Sequence, residues 1–216
     1  LPSFLDTARR FPSLSNALLK SAYVRWLLGR FLDIDPLAPL PAFERLERLP
    51  KAQEAPDGSQ SLSGQKVALF DSCLTRAFNP LQAFKAKAMI EKLGGEIVVI
   101  PKGCCGMVAL ERGLESYAKK RYQRPLLKRF QKAREEGAQK ILFLEPTCLF
   151  ALQSFPEELK AFGLEKEDFE LAPDFISKAL PHKAPPLKPP TGVVYQPPCS
   201  HDSSIAKPWL EKALAP

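Results

Sequence analysis

At 216 residues with 45% apolar side chains, the chain is long enough to close a core and too apolar for a disordered tail. No stretch approaches the ~20 uninterrupted apolar residues of a membrane span; the nearest, 17–32, is broken by Lys20, Arg25 and Arg30. The net charge of +7 is concentrated between positions 102 and 140, where eleven Lys/Arg face four Glu. A basic run of this kind reads first as a solvated helix face and second as a docking face for an acidic partner. With no aromatic interleaving and no base-reading motif beside it, nucleic acid is not expected. No secretory signal pattern is visible, so a soluble cytoplasmic protein is expected. The chain starts at Leu1 and ends in Lys-Ala-Leu-Ala-Pro, which suggests a fragment or a processed chain.

Residues 1–49 read as a helical segment punctuated by proline, with Ala17, Val24, Leu27, Leu28 and Phe31 at helical spacing. Residues 50–65 are polar, carry Pro56-Asp57-Gly58-Ser59 and read as a linker. The pattern then changes. The run KVALFD at 66–71 is nearly continuous in apolar residues, as a strand covered on both faces requires. Asn79-Pro80 offers a helix start, Leu81, Phe84, Ala88 and Lys92 share one face with Ile90 and Leu93 beside them, and Gly94-Gly95 ends the helix. A second strand is predicted at 96–100 (EIVVI), then one helix over 107–123 and another opened by Pro125 and stopped by Gly137. A third strand (KILFL, 140–144) is followed by a helix around 150–162, and a weaker strand and helix through 169–180. After the Pro-rich stretch 181–190, GVVYQ at 192–196 reads as a further strand. Alternation of strand and helix without hairpin turns predicts βαβ units: an α/β domain at 66–180 with a parallel sheet of Rossmann-like type.

The five cysteines follow this frame. Cys73 comes after the first strand, Cys104 and Cys105 after the second, Cys148 after the third and Cys199 after the 192–196 strand. Open parallel sheets build their sites from loops beyond the carboxyl ends of the strands, so the first four should meet at one sheet edge. Small buried thiols would explain any one of them, but not the whole set. Four thiolates suit zinc or an iron–sulfur cluster. Structural zinc favours paired Cys-x-x-Cys knuckles, which this chain lacks, whereas a cluster can bridge scattered loops. Gly103 and Gly106 flank the vicinal pair and let the backbone approach a cofactor, with N–H groups free for its sulfurs. A thiol–disulfide role for Cys104 or Cys105 stays open beside the metal reading.

Cys73, then Cys104-Cys105-Gly106, then Pro146-Thr147-Cys148 resembles the cysteine-rich CCG domain. That domain occurs in heterodisulfide reductases, in the iron–sulfur subunits of glycolate oxidase and of anaerobic glycerol-3-phosphate dehydrogenase, and in lactate-utilisation proteins. The resemblance covers 66–205, and Tyr195 to His201 looks like the start of a second repeat, within a Pro-rich and truncated stretch at 181–216. It implies an iron–sulfur cluster, [4Fe–4S] in type, on Cys73, Cys104, Cys105 and Cys148, with Cys199 at a second site. It also implies an electron-transfer protein serving a flavoprotein dehydrogenase of the 2-hydroxyacid or glycerol-phosphate type. The flavin would sit on the partner chain and the acceptor would be a quinone or membrane anchor at the inner face of the membrane. Alternatives are a heterodisulfide reductase-like thiol enzyme and an interaction module without a cluster. The chain departs from the family pattern at Ala151, where a further cysteine is expected, and shows neither a second CCG nor an upstream ferredoxin-type cysteine cluster. His201 reads first as a polar surface residue and second as a ligand or proton donor, His182 carries no role, and Glu145 reads first as a simple strand-end carboxylate and second as a group supporting the ligands.

Overall fold

The structure is a computed structural model that describes residues 2–44, 59, 61–100 and 102–180. Three helices, α1 (Pro2–Arg10), α2 (Pro12–Lys20) and α3 (Ala22–Leu32), precede β1 (Lys66–Phe70). Then come α4 (Cys73–Phe78), α5 (Pro80–Lys92), β2 (Glu96–Val99), α6 (Met107–Leu110), α7 (Glu115–Ala118) and a π-helical turn, Lys119–Gln123. The chain continues through α8 (Arg124–Glu135), β3 (Lys140–Phe143), α9 (Pro146–Gln153), α10 (Pro156–Lys160), β4 (Phe169–Leu171) and α11 (Ala172–Ala179). The four strands form one parallel sheet in the order β2-β1-β3-β4, as the α/β reading anticipates. From β1 the chain first places β2 on one side and then crosses to β3 on the other. The loops after β1 and β3 therefore part in opposite directions, and such a switch point leaves a crevice at the carboxyl edge of the sheet.

Period-two alternation sorts the strand residues between two helical layers. Ala68, Phe70, Ile141 and Phe143 face Leu126, Leu127 and Phe130 of α8 and Ala151 and Leu152 of α9. Val67 and Leu142, with Leu144 beyond β3, face Ile90 of α5 and Phe175 and Ala179 of α11. Phe130 is fully buried at the centre of the first layer. Its ring lies 5.6, 5.7 and 5.8 Å from those of Phe70, Phe143 and Phe169, all three edge-on.

Several predicted elements differ in detail. The helix expected over 107–123 is broken: Gly113 takes a left-handed conformation (φ +72°) between α6 and α7, and the final turn widens into a π-turn that runs into α8. The helix expected around 150–162 starts at Pro146 and breaks before Pro156. On α5, Ile90 and the following Leu93 face the sheet, joined by Ala83, Ala86 and Met89 in place of the Leu81–Lys92 stripe. In the N-terminal segment Ser21 ends α2 and begins α3 in extended conformation, so the expected single stripe is split. Ala17 and Phe31 are exposed as a result. The buried contact is made by Leu5, Phe43 and Ala77. The Phe43 backbone is clamped by Asn16, through N–H to Oδ1 at 2.8 Å and Nδ2 to carbonyl at 3.0 Å. Glu44 N–H bonds to Ala77 O, which docks the segment on α4. No helix among the described residues is long and apolar enough to cross a membrane. The strand predicted at 192–196, together with His182, Cys199 and His201, lies outside the described residues.

Candidate metal centre

Each cysteine is placed by a strand end. Beyond β1 the chain passes Asp71 and Ser72, and Cys73 becomes the first residue of α4. Ser72 caps this helix: its Oγ accepts the Thr75 N–H at 3.0 Å. Beyond β2 the loop carries Cys104 and Cys105 and ends at Gly106, which starts α6. Beyond β3, Cys148 lies in the first turn of α9. Cys73 and Cys148 therefore sit in helical first turns, not in the loops where the sequence places them.

The four side chains converge. Cys105 donates to Cys148 with the sulfurs 3.1 Å apart, while Cys104 lies beside Cys73 on one side and Cys105 on the other. A string of thiols therefore runs from Cys73 through Cys104 and Cys105 to Cys148. The neighbouring Cys105 and Cys73 thiols, and the Gly106 N–H at 3.4 Å, favour the thiolate and pull the Cys104 pKa down to about 3. Cys73 and Cys105 move the other way: each gives its proton to a neighbouring sulfur, and burial opposes their ionisation. Cys105 and Cys148 are buried, and Cys73 and Cys104 are partly open to a cleft of about 340 Å³. Among the described residues, no three Cys, His, Asp or Glu side chains are grouped for a single metal ion.

A polar tether joins two of the cysteine-bearing turns. The Thr75 hydroxyl donates to Glu145 Oε1 at 2.7 Å and receives the Ser72 hydroxyl at 3.0 Å. Glu145 precedes α9 and Thr75 lies in the first turn of α4. This carboxylate ties the Cys73 turn to the Cys148 turn, the supporting role that the sequence offers second to a plain strand-end carboxylate. On the third side Gln123, fully buried, donates to Ala151 O at 2.9 Å and ties the π-turn to α9. Ala151 is itself buried in the core, so no further sulfur comes from this turn of α9.

The two glycines act differently. A Cβ on Gly103 would approach Leu126 Cδ1 to 2.7 Å, so this residue lets the loop lie flat on α8. Gly106 has φ +80°, and a Cβ there would sit 3.2 Å from Tyr122 Cβ. Gly106→Ala is expected to destabilise the chain by about 1–3 kcal/mol, from the left-handed backbone and the tight contact together. Urea denaturation measures it, and a loss below a few tenths would show that the loop relaxes freely.

Residues 67–153 match the family model described as CCG, cysteine-rich domain. This stretch is a CCG domain. The match spans β1 through α9 and so holds all four convergent cysteines together with the Ser72–Thr75–Glu145 tether. No curated protein and no solved structure matches the chain at a significant level. CCG domains occur in iron–sulfur redox proteins, which gives this one a general redox role.

Proposed function

We propose that the CCG domain holds an iron–sulfur cluster on Cys73, Cys104, Cys105 and Cys148 and passes electrons for a flavin-linked dehydrogenase. The observation that carries this reading is the convergence of four sulfurs from three strand ends. Soft thiolates suit iron–sulfur chemistry. Their strung-out layout around a cleft suits a multi-iron cluster better than one tetrahedral ion. Four cysteines, with Ala151 in place of a fifth, favour a [4Fe–4S] cubane. When bound, such a cluster supplies one-electron storage and release. The chain's own residues set the conditions for it. The buried Cys105 and Cys148 limit water, Gly106 N–H donates to sulfur, and the Glu145–Thr75 bond holds two of the ligand turns at fixed separation. The flavin belongs to a partner protein oxidising a 2-hydroxyacid or glycerol phosphate. The electrons go on to a quinone or another acceptor, with the domain cytoplasmic and peripheral at the inner face of the membrane. Anaerobic reconstitution followed by iron and sulfide analysis tests the reading. A colourless, iron-free chain that remains stably folded would overturn it in favour of an interaction module.

One observation favours a second reading, thiol–disulfide chemistry: the 3.1 Å separation of the Cys105 and Cys148 sulfurs. A disulfide is ~2.05 Å long, so a small approach would close this pair, whereas vicinal Cys104 and Cys105 are poorly placed for one. Treatment of the iron-free chain with diamide is expected to join Cys105 to Cys148, the diamide taking up two electrons and the two thiol protons. Peptide mapping reads the bond, and a Cys73–Cys104 product instead would contradict this order of proximity.

A further inference from the structure

A second cleft, of about 450 Å³, lies beside the cysteine site and has the opposite character. The two share Cys104, Tyr117 and Tyr122 in their walls. Whereas the cysteine cleft is mainly apolar, the second is walled by four cations from three separate parts of the chain: Arg76 of α4, Lys102 of the β2 loop, and Arg121 and Arg129 of the π-turn and α8. Sequence alone spreads the positive charge over positions 102–140. The fold gathers three of those cations, adds Arg76, and leaves others such as Lys128 in a different depression.

The counter-charges do not cancel this group. Asp6 is the one carboxylate in the wall, at 3.8 Å from Arg76 and 4.0 Å from Lys102, and both distances are long for a hydrogen-bonded pair. Asp71 lies close to Arg76, whose Nη1 donates to the Asp71 carbonyl. Arg129 spends one donor on the Lys102 carbonyl, which holds that loop against α8. Among the described residues, Arg121 has no carboxylate partner. Arg76 is only 7% exposed, and its Nε is buried without a hydrogen-bond acceptor. A buried guanidinium with an orphan donor is costly unless something accepts from it. Guanidinium forks match the planar or tetrahedral oxygens of carboxylates and phosphates. The volume suits a small molecule rather than a protein segment.

We infer that the Arg76–Lys102–Arg121–Arg129 cleft is an oxyanion site that holds the phosphate or carboxylate group of a small molecule, with Cys104 at its border. The site stands on its own residues, whether or not the cysteines hold iron. A ligand anchored there lies with its remaining part toward the shared wall of Cys104, Tyr117 and Tyr122.

The test titrates the full chain, as purified, with inorganic phosphate and separately with malonate, ionic strength being held constant with chloride. Calorimetry reads the binding. One-to-one saturation at millimolar concentration or tighter by either anion is expected. Arg121→Gln and Arg129→Gln should each weaken it by about tenfold or more, with unchanged circular dichroism. Lys128→Gln, outside the cleft, should leave it unchanged. Binding of phosphate alone or malonate alone also supports the site and names which group it takes. Absence of binding by both anions overturns the inference, as does equal weakening by Lys128→Gln. Association with phosphatidylglycerol vesicles without binding of either free anion overturns it too, and assigns the basic face to a membrane surface. Iron content, measured on the same samples, is expected to be unaffected by Arg121→Gln, so failure here is separable from failure of the cluster assignment.

Discussion

Cys104→Ser is expected to give a folded chain whose iron and sulfide content falls by about tenfold or more after reconstitution, since losing even a supporting partner of a ligand costs roughly 10–100-fold in metal affinity. Cys104 links Cys73 to the Cys105–Cys148 pair, and its sulfur also accepts the Gly106 N–H. Its removal leaves Cys73 separated from the Cys105–Cys148 pair, and three sulfurs on two sides of a gap cannot close a four-thiolate site. Serine keeps the size and the hydrogen bonds but not the soft sulfur donor. The structural cost is small because Cys104 is partly open to the cleft and lies outside the cores. Iron analysis beside urea denaturation separates the two effects. Wild-type iron content in Cys104→Ser would remove it from the ligand set, and loss of folding would make it a structural thiol instead.

The placement of these sulfurs was legible because it rests on local signals. KVALF, EIVV and KILF are apolar runs of strand length, and parallel strands send their following residues to one edge. The supports of the site were not legible, because they are pairings across the chain. Thr75 and Glu145 are 70 positions apart, and Gln123 and Ala151 are 28 apart. Neither pair leaves a period or a motif in sequence. Arg76 is hidden for a different reason: within 73–78 it reads as one ordinary helical cation, and only the packing of α1 against α4 brings Asp6 over it and buries it. The misread helix over 107–123 has a local cause. Its residue types tolerate a helix throughout except Gly113, and one glycine is weak punctuation until its positive φ is seen. What that break does for the site is specific: it lets α7 and the π-turn fold back so that Tyr122 packs on Gly106 and Tyr117 meets Tyr122 edge-on at 5.7 Å.

The aromatic floor under the cysteine loop gives a contrasting expectation. Phe130→Ala should cost about 3–5 kcal/mol, the range for emptying a fully buried phenylalanine site. Three rings face the void, and the strands that carry them, β1, β3 and β4, are paired in the sheet and cannot move in to fill it. For a chain of this length that loss lowers the melting temperature by roughly 6–20 °C. It is a large fraction of the ~5–15 kcal/mol that holds a domain together. The void also undercuts Phe70, whose ring lies 3.5 Å from the position a Gly103 Cβ would take, so the loop bearing Cys104 loses part of its support. Two outcomes then separate core from site. If the loop is held mainly by the sulfur string and by Leu126, loading with iron raises the melting temperature of Phe130→Ala by as much as it raises that of the parent chain, because binding stabilises by linkage whatever the starting stability. In Cys104→Ser the iron-free stability is kept and that increment is lost. If instead the increment also shrinks in Phe130→Ala, the aromatic cluster is part of what orders the ligands, and the core and the metal centre form one cooperative unit.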